Sequence, residues 1–372
     1  MIIGVPKEIK NNENRVSMTP SGVHRLVSAG HKVIIEESAG LGSGIADAEY
    51  EAAGAAIEKD VSEVFSQSDI IVKVKEPLES EYHYFKEGQI LYTYLHLAPN
   101  PALTNALLEK KVTGIAYETV ETEDGALPLL LPMSEIAGRM SVQVAANYLQ
   151  SFYGGEGVLL SGVPGVAPAE VVIVGGGSVG TNAAKIAVGM RAHVTVFDVS
   201  KKRLSYLDDI FGGKVTTVLS SEYEIAQAVK KADVLIGCVL VPGKKAPKVV
   251  TAEMVKTMKK GAVIVDVAID QGGSIETIDK ATTHDNPIYE KYGVIHYSVA
   301  NMPGSMARTS TYALTGSTIG YLFQIAQKGA KAALLEDKAL LRGLNTFDGH
   351  LTNKAVAESL NIEYTNAETV LK

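Results

Sequence analysis

The sequence predicts an α/β fold of two doubly wound domains with a cleft between them. Two observations carry that reading. Strand-like and helix-like segments alternate through the first 120 residues, and a second, more regular alternation follows the Gly/Pro-rich stretch 154–168. Such alternation builds mostly parallel sheets covered by helices. A chain of 372 residues is long enough to bury a full core in each of two domains.

In the first half, "IIGV" is a strand, a helix is expected over 19–29, and "KVIIEE" is the next strand, with short helical stretches up to residue 66. "DIIVKV" and "QILYTYLH" are strands, a helix falls near 101–110, and "VTGIAY" closes the set. Residues 134–153 form a long amphipathic helix with Ser134 as its N-cap, placed to bridge the domains. The second alternation places strands at "VVIVG", "HVTVFD", "KVTTV", "DVLIGC" and "AVIVDV", with helices between. From about residue 305 the pattern is helical to the end.

Composition excludes several classes. The chain is 46% hydrophobic and 21% charged, with a net charge of −7 and a pI near 5.7. That balance argues against nucleic acid or an anionic membrane as a partner, while small anionic ligands need only a local cationic cluster. The opening "MIIGVPKEIKNNENR" lacks an apolar h-region, so no signal peptide is expected. The weakly charged stretch 157–177 is rich in Gly and Pro and reads as loop plus strand, not a membrane span. The single cysteine, Cys238, excludes an internal disulfide, fits a reducing compartment, and reads as a buried, inert thiol in "VLIGCVL". Cytoplasmic residence is the expectation, and no metal site is expected.

"VVIVGGGSVGTNAAKIA" sets Gly175, Gly177 and Gly180 in a G-x-G-x-x-G spacing directly after a strand and at the opening of a helix. In that context the first glycine permits a tight turn, the second admits a pyrophosphate, and the third lets helix and strand pack closely. The helix beginning near Ser178 offers free N–H groups to phosphates. Asp198 ends the next strand, where a carboxylate accepts ribose hydroxyls and repels a 2′-phosphate, favouring NAD over NADP. Lys201, Lys202 and Arg203 follow closely enough to soften that preference. A Rossmann-like dinucleotide site is the reading.

A dinucleotide needs a partner surface for its substrate. By period-two alternation Ile71, Lys73 and Lys75 share one face of their strand, with Lys75 at its end, and Tyr92, Tyr94 and His96 share a face of the next. Taken singly, Lys75 reads as a solvated charge and His96 as a structural histidine. Taken together at one sheet edge, they read equally well as a binding pair. Arg15, in the polar loop "KNNENRV", is a third cation near that edge. Asp266 and Asp270 follow the strand "AVIVDV", Asp270 just before Gly272 and Gly273; a turn aspartate is the alternative for either.

The blocks "GVPKEIKNNENRVSMTP", "VKVKEP", "YLHLAPN", "SEIAGRMSVQVAANYLQ", "GGEGVLLSGVPGVAP" and "DVAIDQGG" together resemble the bacterial L-alanine dehydrogenases, over essentially the whole chain. The resemblance implies a homohexamer using NAD. It implies a catalytic domain from both chain ends, 1–128 plus 306–372, with a nucleotide domain, 129–305, inserted between them. Carried over residue by residue, it makes Arg15 and Lys75 the clamp for the substrate carboxylate and carbonyl. His96 becomes the general acid/base and Asp270 the second catalytic residue. Ser134, Ser178, Val179, Asp198, Arg203, Ser220, Val239 and Leu240 would contact the cofactor. Val267, Ala268, Ile269 and Asp270, and likewise Ser298, Val299, Ala300 and Asn301, would lie beside the nicotinamide. Some relatives carry an arginine where this chain has Asp279, so no contact is carried to that position.

The implied reaction converts L-alanine, NAD and water reversibly to pyruvate, ammonium and NADH. A histidine suits its proton transfers, because the ordinary imidazole pKa of ~6.5 lies near neutrality. Three rivals stand beside this reading. One is the soluble NAD(H)-binding component of a transhydrogenase, which works beside a membrane partner; the trio Arg15, Lys75 and His96, and the lack of a hydrophobic C-terminal extension, argue against it. The others are an opine- or saccharopine-type dehydrogenase and a non-catalytic NAD-sensing regulator.

Overall fold

The computed structural model describes residues 1–239 and 246–372. They fall into two compact units, Met1–Met133 with Gly304–Lys372, and Ser134–Pro303. In chain order the first unit contributes strands β1 (Ile2–Val5), β2 (Lys32–Glu36), β3 (Ala56–Glu58), β4 (Ile70–Val72), β5 (Ile90–Thr93) and β6 (Thr113–Ala116). The second contributes β7 (Glu170–Val174), β8 (His193–Asp198), β9 (Val215–Leu219) and β10 (Val234–Gly237). It continues with β11 (Val263–Asp266), β12 (Ile288–Lys291) and β13 (Val294–Tyr297). The chain then returns to the first unit for β14 (Leu344–Phe347) and β15 (His350–Leu351).

The first sheet runs in the order β15-β14-β6-β5-β4-β1-β2-β3. It is parallel from β6 to β3, and β14 joins β6 antiparallel, with Leu344 opposite Ile115. The strand order reverses between β4 and β1, a switch point of the kind that opens a crevice at the carboxyl ends of strands. The second sheet runs β12-β13-β11-β10-β7-β8-β9, with its reversal between β10 and β7. Both sheets are α/β and doubly wound, as the alternation predicts.

Burial on both faces explains why β7, β10 and β11 read as apolar runs. Val171, Ile173, Ile236, Val263 and Val265 pack on one face of that sheet, and Val172, Val174, Leu235 and Ile264 on the other. Each such side chain contributes about 1.5–3 kcal/mol of burial. In the first unit Phe65, Ile71, Leu91, Leu103, Leu107 and Val356 share a core. Helix boundaries follow local chemistry: Thr19 caps Pro20–Ser28, and the Asn100 side chain caps Pro101–Glu109.

Several expectations are corrected. Ser134 is not an N-cap: its helix is Leu131–Tyr148, whose first turn tolerates Pro132 and is nucleated by the Leu131 and Met133 N–H bonds to Leu127 and Leu130. The chain after residue 305 is not helical throughout, because "LNTF" pairs with β6. A four-residue strand among helix-formers leaves little periodicity to detect. The β12–β13 hairpin was likewise unforeseen. Strand β4 ends at Val72, so the alternation read through Lys73 and Lys75 does not hold. Among the described residues no helix is long and apolar enough to cross a membrane.

Candidate functional site

Three neighbouring strands of the first sheet, β4, β5 and β6, each lead into a charged or titratable group two or three residues past their carboxyl ends, and the longer loop leaving β1 brings in a fourth. Arg15 follows β1, Lys75 follows β4, His96 follows β5 and Glu118 follows β6. The switch point between β1 and β4 therefore sets the arginine and the lysine on adjacent paths, and each charge is felt by the other.

Arg15 is 2% exposed. Its Nε donates to Glu13 Oε1 at 2.6 Å, its Nη2 donates to Glu13 Oε2, and its Nη1 faces Met133 Sδ at 3.1 Å. Burial opposes the charge on both partners, but the two-point pairing overrides it, keeping Arg15 protonated and holding the Glu13 carboxyl below its usual range. Burial, and then the Arg15 charge, hold the Lys75 ammonium below the ordinary lysine range. Two neighbouring cations, one of them paired to a buried carboxylate, suit a small anionic ligand.

His96 stands differently. Its side chain is 43% exposed, and its ring lies parallel to that of Tyr94 at 5.9 Å. Its backbone sits at φ +46°, a left-handed conformation that costs a non-glycine residue about 1–2 kcal/mol. Glu118 holds it there, accepting the N–H of His96 at 2.7 Å and of Leu95 at 3.1 Å. The same carboxylate lies 3.9 Å from Nδ1. Backbone strain in an exposed, titratable residue is a mark of functional positions. His296 shows the contrasting case: it is fully buried, with Nε2 on Thr277 and Nδ1 on the Val294 carbonyl. Sequence reading missed Glu118 and Glu13. A carboxylate just past β6, beside the strand that ends before His96, was the available signal.

In the second unit the glycine turn is built as its spacing predicts. Gly175 adopts φ +106°, and a Cβ there would lie 2.8 Å from the Cys238 carbonyl, so Val239 runs against the turn. A Cβ on Gly180 would stand 1.8 Å from the Gly175 carbonyl oxygen. Gly177 is the informative one. It caps helix Ser178–Gly189 with no side-chain bond to the first turn, at φ −65°, and among the described residues a Cβ on it would meet no atom within 4 Å. Neither conformation nor packing within the protein requires glycine there, whereas a phosphate resting on the N–H groups of Ser178, Val179 and Gly180 would. The residues present fit a dinucleotide.

Asp198 Oδ2 accepts the Gly176 N–H at 2.8 Å and Oδ1 that of Ser200 at 2.8 Å, tying the end of β8 to the turn. The Ser220 N–H bonds the Asp198 carbonyl. Arg203 donates to the Gly176 carbonyl and to Thr181 Oγ1, so its guanidinium is engaged in the turn and not held out toward a 2′-phosphate. Arg139 Nε donates to Asn182 Oδ1, and a Cβ on Gly138 would lie 2.2 Å from the Val179 carbonyl, which seats the helix carrying Ser134 on helix Ser178–Gly189. Leu240 lies outside the described residues.

After β11, Asp266 is buried and accepts the N–H groups of Ala268, Ser274 and Ile275. It closes the loop Val267–Gln271, on which Ala268 is buried and Asp270 is exposed. After β13, the Ser298 hydroxyl bonds the Lys280 carbonyl, Val299 is buried beside Thr282, and Asn301 takes φ +57° with Ala300 before it. The glycine turn, Asp198, Ser220, Val239, and the segments after β11 and β13 thus share the carboxyl edge of the second sheet.

The sequence matches the N-terminal domain of the alanine dehydrogenase/PNT family over residues 4–137 and its C-terminal domain over 141–354. The chain belongs to the alanine dehydrogenase/PNT family. Within that family it is 68% identical to alanine dehydrogenase of Methanococcus maripaludis over 371 residues, and 60% identical to that of Staphylococcus saprophyticus over 372, covering 100% of each chain. A solved L-alanine dehydrogenase superposes with a TM-score of 0.95 at 52% identity, over 97% of this chain and 99% of the other. A transhydrogenase from Sinorhizobium meliloti superposes at 0.81 with 26% identity, over 95% of this chain and 100% of that one. The family resemblance read from the sequence holds.

Proposed function

We propose that this chain catalyses the NAD-dependent, reversible oxidative deamination of L-alanine to pyruvate and ammonium. The observation that carries the reading is that Arg15, Lys75 and His96 follow neighbouring strands of one sheet, in a chain 68% identical over its whole length to an alanine dehydrogenase. The 26% identity to a transhydrogenase makes that alternative the weaker one.

Arg15 binds the substrate carboxylate. Glu13 pairs with the arginine through Nε and Nη2 and sets the planar guanidinium in place. Lys75, a compact charge, polarises the substrate carbonyl and steadies the developing oxyanion of the carbinolamine. His96 takes a proton from the water that attacks the iminium carbon, gives it to the nitrogen, and takes the carbinolamine hydroxyl proton as the C–N bond breaks and ammonia leaves. Asp270 orients that water or steadies the cationic imine. The nicotinamide, when bound, supplies the hydride acceptor. Gly175, Gly177, Ser178, Val179, Gly180, Ser220, Val239 and Arg203 hold the phosphates and adenosine, with Ser134 on the adjoining helix. Asp198 accepts the ribose hydroxyls, which favours NAD over NADP. Val267–Asp270 and Ser298–Asn301 flank the nicotinamide. Residues 1–128 with 306–372 serve the substrate, and 129–305 the cofactor.

Family membership supports a homohexamer, and the single buried thiol of Cys238 supports residence in the reducing cytoplasm. The deciding assay mixes protein, NADH, pyruvate and ammonium and follows loss of reduced-nicotinamide absorbance. Omitting ammonium abolishes the signal if the reaction is amination; ammonium-independent oxidation of NADH overturns the reading. Larger keto acids in place of pyruvate test the substrate assignment.

A further inference from the structure

Lys73, which sequence alternation placed beside Lys75, is instead 1% exposed and lies between two buried carboxylates, 3.2 Å from Glu8 Oε2 and 2.9 Å from Glu81 Oε1. A buried ion triad adds little stability over well-packed apolar side chains, so its geometry is the informative part. The other oxygen of Glu8, Oε1, accepts the backbone N–H of Val74 at 2.5 Å and of Lys75 at 3.3 Å. On the opposite side, Thr93 Oγ1 donates to the Lys75 carbonyl at 3.0 Å. Beyond the end of β4 the chain has left the regular ladder, and it keeps two backbone bonds to the β5 path, the Lys73 N–H to the Tyr92 carbonyl at 3.2 Å and the Tyr94 N–H to the Val74 carbonyl at 3.4 Å. The peptide groups flanking Lys75 are thus held by side chains from two other segments.

We propose that Glu8, charge-balanced by Lys73, is a positioning residue that fixes the backbone of Lys75 and so aims its ammonium at the substrate carbonyl. The inference rests on the substrate role proposed for Lys75. Burial pushes the Glu8 carboxyl above its usual range and the Lys73 charge opposes that shift. Glu81 anchors Lys73 while accepting the Leu78 N–H, which closes the 73–78 segment into one braced loop. A displacement of about 1 Å in a positioned group can cost on the order of a hundredfold in rate, so a braced backbone matters even without substrate contact.

The test is a double-mutant cycle on kcat/KM for pyruvate at saturating NADH and ammonium, with wild type, Glu8→Gln, Lys75→Ala and the double variant. Glu8→Gln keeps the shape but sets an NH2 group against either Lys73 or the two N–H donors. It is expected to lower kcat/KM about tenfold, with the NADH dissociation constant unchanged within about twofold. In the Lys75→Ala background the same change is expected to cost less than about twofold, because the group it positions is gone. An equal loss in both backgrounds overturns the inference alone. A fully active Lys75→Ala enzyme overturns both the clamp and the inference. If Glu8→Gln does not fold, Thr93→Val, which removes an uncharged brace from the Lys75 carbonyl, carries the same cycle with the same expected non-additivity.

Discussion

The Glu118 carboxylate receives the backbone N–H of His96 at 2.7 Å while lying 3.9 Å from the Nδ1 of the same residue. One side chain thus pins the strained backbone that presents the imidazole and supplies the nearest negative charge to its ring. Glu118→Ala removes the acceptor for two N–H groups and is expected to lower kcat about tenfold, with NADH affinity unchanged. Glu118→Gln keeps an acceptor oxygen and should restore most of that loss. Equal kcat values for wild type and Glu118→Ala would dissociate the carboxylate from the imidazole.

His96→Ala should keep NADH binding and lose turnover in both directions by ~10²–10⁴, the usual contribution of a positioned general acid/base. Fluorescence titration with NADH and steady-state rates of amination and deamination check the two halves. Full activity in the variant removes His96 from the mechanism.

Gly177 and Gly180 should separate cofactor binding from folding. Among the described residues a Cβ on Gly177 meets no atom within 4 Å, so Gly177→Ala should melt within about 1 °C of wild type yet bind NADH at least tenfold more weakly. A Cβ on Gly180 would press on the Gly175 carbonyl at 1.8 Å, so Gly180→Ala should lower the melting temperature. Unchanged NADH affinity in Gly177→Ala would mean that the space beside that glycine does not receive the phosphates.

The contrast between these sites explains what the sequence made legible. The strands β7, β10 and β11 are buried on both faces, so their apolar runs and the glycine spacing carry the second unit's architecture by themselves. Arg15, Lys75 and His96 could be placed near one edge because each follows a strand. Their partners could not. Glu8 meets the N–H of Val74 across 66 positions of sequence and Glu118 meets His96 across 22, and neither pairing leaves a periodic trace. Lys73 misled for a related reason. Period-two counting assumes that the strand continues, and β4 stops at Val72. Strand β14 escaped notice because "LNTF" gains its identity from β6, a tertiary partner far away in the chain.

Asp198→Gly should weaken NAD binding and narrow the preference over NADP. The carboxylate also accepts the Gly176 N–H, so part of the loss should appear as a loosened turn. Because Arg203 is engaged with Gly176 and Thr181, the variant should gain NADP affinity only modestly. Paired kcat/KM values for the two cofactors test this, and an unchanged ratio contradicts the ribose assignment.

Glu156 gives a pH prediction independent of catalysis. Its carboxyl is pushed up to about 7, first by burial and then by the neighbouring Asp233 carboxylate, with Lys259 acting in the opposite direction. Asp233 itself pairs with Lys259 and accepts the Glu170 N–H at 2.7 Å. A carboxyl whose folded pKa is raised binds more protons in the folded state than in the unfolded one. Its stabilising contribution is therefore complete below the ordinary carboxylate range and is lost as pH rises through about 7. Glu156→Gln mimics the protonated form and should melt with wild type at pH ~4, then about 2 °C above it at pH ~8.5, a modest gain because the group is partly exposed. Thermal melts of both proteins across that interval check the sign. A difference that stays constant with pH would show that Glu156 does not take up its proton near neutrality.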